Sequence, residues 1–284
     1  MMPVQLAAGA LSALVGISLP ASPRDAAHAQ PTYRYVALGD SYTAAPVSPV
    51  PDTGETCYHS PTSYPRVLAR KVTQLRLTDV SCSGASTSSM TRAQREDVPP
   101  QFDALTRGTD LVTVGIGGND EQLFMSWYLQ CTRVAASDPT GNPCERASQT
   151  SDGDVMLDKV PQIKRNLVAA IKGIRARSPH AVVVLVTYPR ILPRSGTCPD
   201  RVSFAAGDYD YINRIVSTLD DAIVAAATRT GVRWVDVESA SRGHDICSST
   251  PWVNGTTGDQ SRATFLHPFP EEQAAVARLV LRAL

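Results

Sequence analysis

The sequence predicts an α/β protein, a three-layer α/β/α sandwich around a central, mainly parallel sheet of five strands. The order of the elements carries that expectation, and composition and charge bound it further. Short strand-like runs alternate with longer helix-like runs, the order that a parallel sheet with helices on both faces requires. Apolar residues make up 43% of the 284-residue chain, enough to build a core. Charge is balanced, with Lys plus Arg and Asp plus Glu at 27 each, so neither a nucleic-acid-binding surface nor a solvating acidic tail is expected.

Taken in order, residues 1–29 read as an export signal. Val4 to Leu19 is small and apolar, and Ala27-His28-Ala29 has the small-x-small form of a cleavage site. Met1, Met2 and Pro3 lack the usual positive charge, which leaves a merely greasy start as the alternative. The apolar run is too short for a membrane anchor and is followed by Pro20, Pro23 and charge. Residues 30–284 then form the mature domain. Residues 34–38 make the first strand and 63–72 a helix. Strands at 77–81 and 111–116 follow, with a helix beginning near Glu121. Residues 137–154, rich in Pro, Gly, Asp and Ser, read as a surface excursion. A long helix covers 155–177, where Val160, Ile163, Leu167, Ala170, Ile171 and Ile174 recur at three- and four-residue spacing. The strand at 182–187 is β-branched and apolar. A helix over 208–228 carries Ile212, Ile215, Leu219, Ala222 and Ile223; a strand at 233–237 and a helix at 271–283 close the chain.

Cys57, Cys82, Cys131, Cys144, Cys198 and Cys247 are even in number and none lies in a C-x-x-C pair. Metal-ligand spacing is therefore absent, and neither a metal nor another cofactor is expected. In an oxidising compartment the six would form three disulfides. Sequence alone does not choose among the possible pairings; neighbours in sequence are the expectation adopted.

In a parallel α/β sheet, ligands sit beyond the carboxyl ends of the strands. Three such ends carry chemistry. "GDSYT", residues 39–43, puts Ser41 after the first strand; a hydroxyl there becomes a nucleophile only if a histidine removes its proton. Thr43 stands where the G-x-S-x-G elbow needs glycine, which argues against an α/β-hydrolase elbow. "SCSGAST", residues 81–87, offers the backbone N–H of Gly84. "VGIGGND", residues 114–120, fails as a dinucleotide loop because Asp120 replaces the third glycine, and leaves the amide of Asn119 as an oxyanion donor or a helix cap. Of five histidines, His267 is the candidate base: it precedes Pro268 and Pro270 at the start of the last helix, on a defined loop.

Taken together, "GDSYT", the glycine of "CSGAS", "GGND" and "HP" at 267–268 resemble, in order, the four blocks of the SGNH (GDSL-type) hydrolases, over nearly the whole predicted mature chain. The cysteines and the export signal further resemble the secreted bacterial lipase and esterase branch, in which three sequential disulfides are usual. The resemblance implies a flavodoxin-like SGNH fold, with Ser41 as nucleophile and His267 as general base and then acid. It also implies an oxyanion hole of Ser41 N–H, Gly84 N–H and the Asn119 side chain. Many family members carry an acid three residues before the histidine, where Thr264 stands here. The expectation is therefore a Ser–His dyad, with the Thr264 main-chain carbonyl accepting from Nδ1–H and Asp259 as the alternative. The implied protein is a secreted, monomeric carboxylic-ester hydrolase of lipid or small acyl esters. A phospholipase-type acyl hydrolase is the nearest variant, and a non-catalytic binding module on the same scaffold is the runner-up.

Overall fold

The computed structural model describes residues 31–49 and 56–284, so the expected export signal lies outside the described residues. Five strands form one sheet: β1 (Tyr33–Gly39), β2 (Leu75–Asp79), β3 (Leu111–Gly115), β6 (Val182–Val186) and β7 (Arg233–Val235), in the order β2-β1-β3-β6-β7. All four pairings are parallel. Between β3 and β6 a two-stranded antiparallel hairpin, β4 (Gln149–Thr150) with β5 (Gly153–Asp154), stands apart from the sheet.

Alternation along the strands builds two cores. Val36, Leu38, Val112, Val114, Val183 and Leu185 face α5 (Val160–Arg177) and α6 (Tyr209–Thr230). Tyr35, Ala37, Leu111, Val184 and Val186 point the other way, onto α2 (Tyr64–Lys71) and α8 (Pro270–Ala283). A period of two on a sheet covered on both faces explains why the inner strands β3 and β6 read as nearly continuous apolar runs, whereas the edge strands β2 and β7 carry charged residues. Thr32–Leu284 forms one compact unit.

Three expectations need correction. The long helix begins at Val160 rather than 155, preceded by a 3-10 turn at Leu157–Lys159, because Pro161 sits best in a first turn, where its missing N–H costs nothing. The last strand stops at Val235 because Asp236 caps a short helix, α7 (Val237–Ala240), by accepting from Ser239 N. The 137–154 excursion is not irregular throughout. It contains the hairpin and α4 (Pro143–Ser148), whose first-turn amides of Cys144 and Glu145 donate to the Asp208 carboxylate from across the fold.

The strand order reverses between β1 and β3. From β1 the chain moves outward to β2, then crosses back to β3 and onward to β6 and β7. That switch point, at the carboxyl ends of β1 and β3, is where such sheets open a crevice.

Candidate active site

Gly39 and Gly115 are partners in register at the ends of β1 and β3. Both must be small. A Cβ on Gly39, whose φ is +153°, would lie 2.2 Å from Thr43 Oγ1 and 2.6 Å from Gly115 O, and one on Gly115 would lie 2.7 Å from Thr43 Oγ1. Thr43 thus folds back over the strand ends, which explains why this turn carries threonine where another elbow needs glycine. The Gln101 side chain holds both polar groups of Gly39, accepting from its N–H at 2.9 Å and donating to its carbonyl at 2.8 Å. After that clamp the chain enters α1 (Ser41–Ala44), capped by Asp40, whose Oδ1 accepts from Tyr42 N at 2.9 Å. Ser41 is the first residue of this turn, so its N–H points out of the helix end without an intrahelical acceptor.

His267 arrives from the other end of the chain, on the loop before α8. Its Nε2 lies 2.7 Å from Ser41 Oγ, across 226 positions of sequence. Its Nδ1 lies 2.8 Å from the carbonyl oxygen of Phe265. A carbonyl can only accept, so Nδ1 carries the proton and Nε2 turns its lone pair to Ser41. This corrects the expectation for Thr264. The Thr264 carbonyl instead accepts the His267 backbone N–H at 3.1 Å, and Leu266, in the left-handed region at φ 59°, turns the Phe265 carbonyl toward the ring. Asp259 is exposed and bonded to Ser261, whose hydrogen bonds hold its carboxyl below the usual range. Among the described residues no carboxylate bonds to His267.

Tyr42 keeps the imidazole in place through one ring contact and one hydrogen bond to the loop. Its ring lies beside the imidazole with centroids 5.2 Å apart, and its hydroxyl donates to Leu266 O at 2.5 Å. Burial lowers the His267 pKa from its ordinary 6.5, and the Phe265 bond acts against that fall. The ring is therefore neutral, as a base must be, down into mildly acidic pH.

Gly84 follows β2 on a tight turn at φ +80°, with the Ala85 N–H donating to Cys82 O. Asn119 lies beyond β3, and its Nδ2 donates to Ala85 O at 2.9 Å, leaving its second amide hydrogen for another acceptor. Asn119 thus belongs to the same loop cluster as Gly84. It also stands at the N-terminal end of the 3-10 turn Asp120–Gln122 that leads into α3 (Leu123–Ala135), but its side chain makes no capping hydrogen bond there and turns instead to the Gly84 loop.

A profile of the GDSL-like Lipase/Acylhydrolase family matches residues 37–274. The chain belongs to that family. Lipase 2 of Streptomyces coelicolor is 43% identical to it over 234 residues, 80% of this chain and 78% of that one. The lipase of Streptomyces rimosus is 29% identical over 225 residues, covering 78% and 76%. Among solved structures, the extracellular lipase from Streptomyces rimosus superposes with a TM-score of 0.68 at 25% identity, covering 89% of this chain and all of that one. Phospholipase A1 from Streptomyces albidoflavus gives 0.67 at 26% identity, with the same coverage.

This GDSL-like acylhydrolase is therefore a carboxylic-ester hydrolase. Its cysteines are joined as 57–82, 131–144 and 198–247, the neighbour pairing expected. The first bridge pins the Gly84 turn, where Ser83 N also donates to Cys57 O at 3.2 Å.

Several supporting groups escaped the sequence reading. Asp120 accepts from Thr87 N at 2.7 Å, from the Thr87 hydroxyl and from Asn166 Nδ2, tying the Asn119 loop to the Gly84 loop. Its position beside Asn119 was the available signal. What Phe265 gives His267 is a carbonyl, for which side-chain identity carries no signal. Tyr42 and Asp40 adjoin Ser41 in sequence, but their partners Leu266 and Tyr188 are distant in the chain. Tyr188 had a positional signal, since it follows the end of β6.

Proposed function

We propose that this acylhydrolase is an exported hydrolase of lipid or small acyl esters that works through a Ser–His dyad. Ser41 Oγ attacks the ester carbonyl while His267 Nε2 takes its proton. The Phe265 carbonyl keeps Nδ1–H in place and stabilises the imidazolium by a dipole instead of a full charge. The carbonyl oxygen, now negative, accepts from Ser41 N–H, Gly84 N–H and the Asn119 amide; losing one such donor typically costs about 10²–10³ in rate. His267 returns the proton to the leaving alcohol. Water, deprotonated by the same Nε2, then attacks the acyl-enzyme, and the Oγ–acyl bond breaks as His267 passes that proton to Ser41 Oγ, releasing the acid and restoring both groups.

The observation that carries this reading is the 2.7 Å contact between Ser41 Oγ and His267 Nε2. Support for an acyl substrate comes from the rim. Met125 and Leu129, four apart on α3, are 53% and 57% exposed, and Phe265 is 40% exposed and stacks on Tyr128 of the same helix face. This open apolar surface reaches the loop that holds His267 and suits an alkyl chain. Three disulfides and a structural relative described as extracellular support export. The likeness to phospholipase A1 favours phospholipids as a second substrate reading.

Hydrolysis of p-nitrophenyl esters by the wild type and by Ser41→Ala tests the mechanism: activity is expected from the first and none above background from the second. Equal rates would refute the assignment. Release of fatty acid from phosphatidylcholine vesicles, compared with triacylglycerol emulsions, separates the two substrate readings.

A further inference from the structure

We propose that the Tyr188 hydroxyl is a positioning group for catalysis, the strut that holds the nucleophile turn at Asp40–Ser41 in register with the oxyanion loop at Gly118–Asn119. The proposal rests on the Ser41–His267 reading above.

Tyr188 is fully buried just beyond β6, the neighbour of β3 in the sheet. Its hydroxyl accepts from Gly118 N at 2.8 Å and lies 2.5 Å from Asp40 Oδ2. The directions of these bonds follow from chemistry. An amide N–H can only donate, so the single hydroxyl hydrogen points to the carboxylate. Asp40 immediately precedes Ser41, and Gly118 immediately precedes Asn119. The strut therefore ends one residue from the nucleophile on one side and one residue from an oxyanion donor on the other.

Among the described residues no other side chain hydrogen-bonds both segments beyond the sheet; the Tyr42–Phe124 ring contact, at 5.9 Å between centroids, adds packing alone. The β1–β3 ladder ends at Gly39 and Gly115, and the last backbone bond between the two segments is Asp40 N to Gly115 O at 2.9 Å. Beyond that point the loops separate from regular pairing, yet the oxyanion site demands that Ser41 and Asn119 keep their relative positions. Tyr188 itself cannot swing. Its backbone N–H donates to Asp220 Oδ1 on α6 at 2.8 Å, and its ring is wedged edge-to-face against Tyr42 and Phe124, at 5.0 and 4.9 Å. Gly118 is seated against the same ring cluster, since a Cβ there would lie 2.4 Å from Phe124. The hydroxyl is thus a fixed point between two loops that touch the reacting carbonyl, and the residue reaches neither the substrate nor His267 through any bond of its own.

The test is Tyr188→Phe in the full chain with its disulfides, which keeps the ring and removes the strut. With p-nitrophenyl butyrate, well below the variant's own unfolding temperature, kcat is expected to fall about 10- to 100-fold while KM stays within about twofold, the signature of misplaced reacting groups. The rate of Ser41 phosphonylation by a p-nitrophenyl alkylphosphonate is expected to fall in parallel. Should the single variant not fold because the buried Asp40 Oδ2 is left without its donor, Asp40→Asn/Tyr188→Phe removes the charge and is expected to show the same kcat loss. A folded single or double variant with wild-type kcat overturns the proposal, as does a loss confined to Tm or KM. If the wild type itself hydrolyses no ester, the dyad reading fails instead, and that outcome is separate from any effect at Tyr188.

Discussion

Glu272 offers a test of the fold that does not depend on catalysis. It sits in the first turn of α8, 2% exposed, with Gln273 Nε2 donating to its Oε2 at 2.8 Å. Around it lie Tyr42, Thr43, Tyr64, Thr187, Tyr188 and Val276, enclosing a cavity of about 10 Å³, too small for the hydration shell of a carboxylate. Burial raises its pKa from 4.5 to about 8. In the unfolded chain the group ionises near its ordinary value, whereas in the folded protein it stays protonated to about pH 8. Folding therefore takes up a proton throughout that window. The stability associated with the neutral carboxyl is complete below about pH 4.5 and is lost progressively as pH rises toward 8. At about 1.4 kcal/mol per tenfold change in proton affinity, the whole loss is of order 5 kcal/mol. Glu272→Gln keeps the shape and cannot ionise. Urea unfolding between pH 5 and 8 should show the wild type losing up to about 1.4 kcal/mol per pH unit more than the variant. Asp40, whose pKa burial raises to about 7, and the buried Asp220, also raised, are present in both proteins and cancel in the difference. Parallel pH dependences in the two proteins would falsify the claim that Glu272 is held neutral.

Other outcomes follow from the site. The acidic limb of kcat/KM should lie below pH 6.5, because burial lowers the His267 pKa and the neutral ring is the active form; a limb above 6.5 in a rate profile from pH 4.5 to 8 contradicts this. Asp259→Ala and Thr264→Ala should both keep kcat within about threefold, since neither side chain orients the imidazole; a loss of several orders of magnitude at Asp259 would restore the triad reading. Gly39→Ala should reduce kcat by about 10² or more and lower Tm, because its methyl group meets Thr43 and the Gly115 carbonyl. Leu129→Ser combined with Met125→Ser should leave p-nitrophenyl acetate turnover nearly unchanged and depress turnover of the palmitate ester, read as the ratio of the two kcat/KM values.

Much of the architecture was legible because its signals are local. Alternating apolar runs marked all five strands of the sheet within a few residues, and the spacing of Ile163, Leu167, Ile171 and Ile174 marked the buried face of α5. Boundaries moved where one residue outweighed the pattern, as Pro161 and Asp236 did. The α4 turn inside the 137–154 excursion stayed hidden because the group that caps it, Asp208, lies more than 60 positions away in sequence.

The sequence by itself determined which reactive groups this protein carries and where they fall relative to the strands. It placed Ser41, Gly84 and Asn119 at three strand ends and His267 before the last helix, and the family likeness implied the roles proposed for them. Only the tertiary structure decided how those groups are held. The partner of His267 Nδ1 is the carbonyl of Phe265 and not that of Thr264, a choice made by one left-handed residue at 266. The ties among the three loops run through Tyr188 and Asp120, and Gln101 clamps Gly39 at the start of the first; all three have partners distant in the chain. Main-chain carbonyls are identical in every residue, and long-range hydrogen bonds have no spacing in sequence, so both become visible only when the chain is folded.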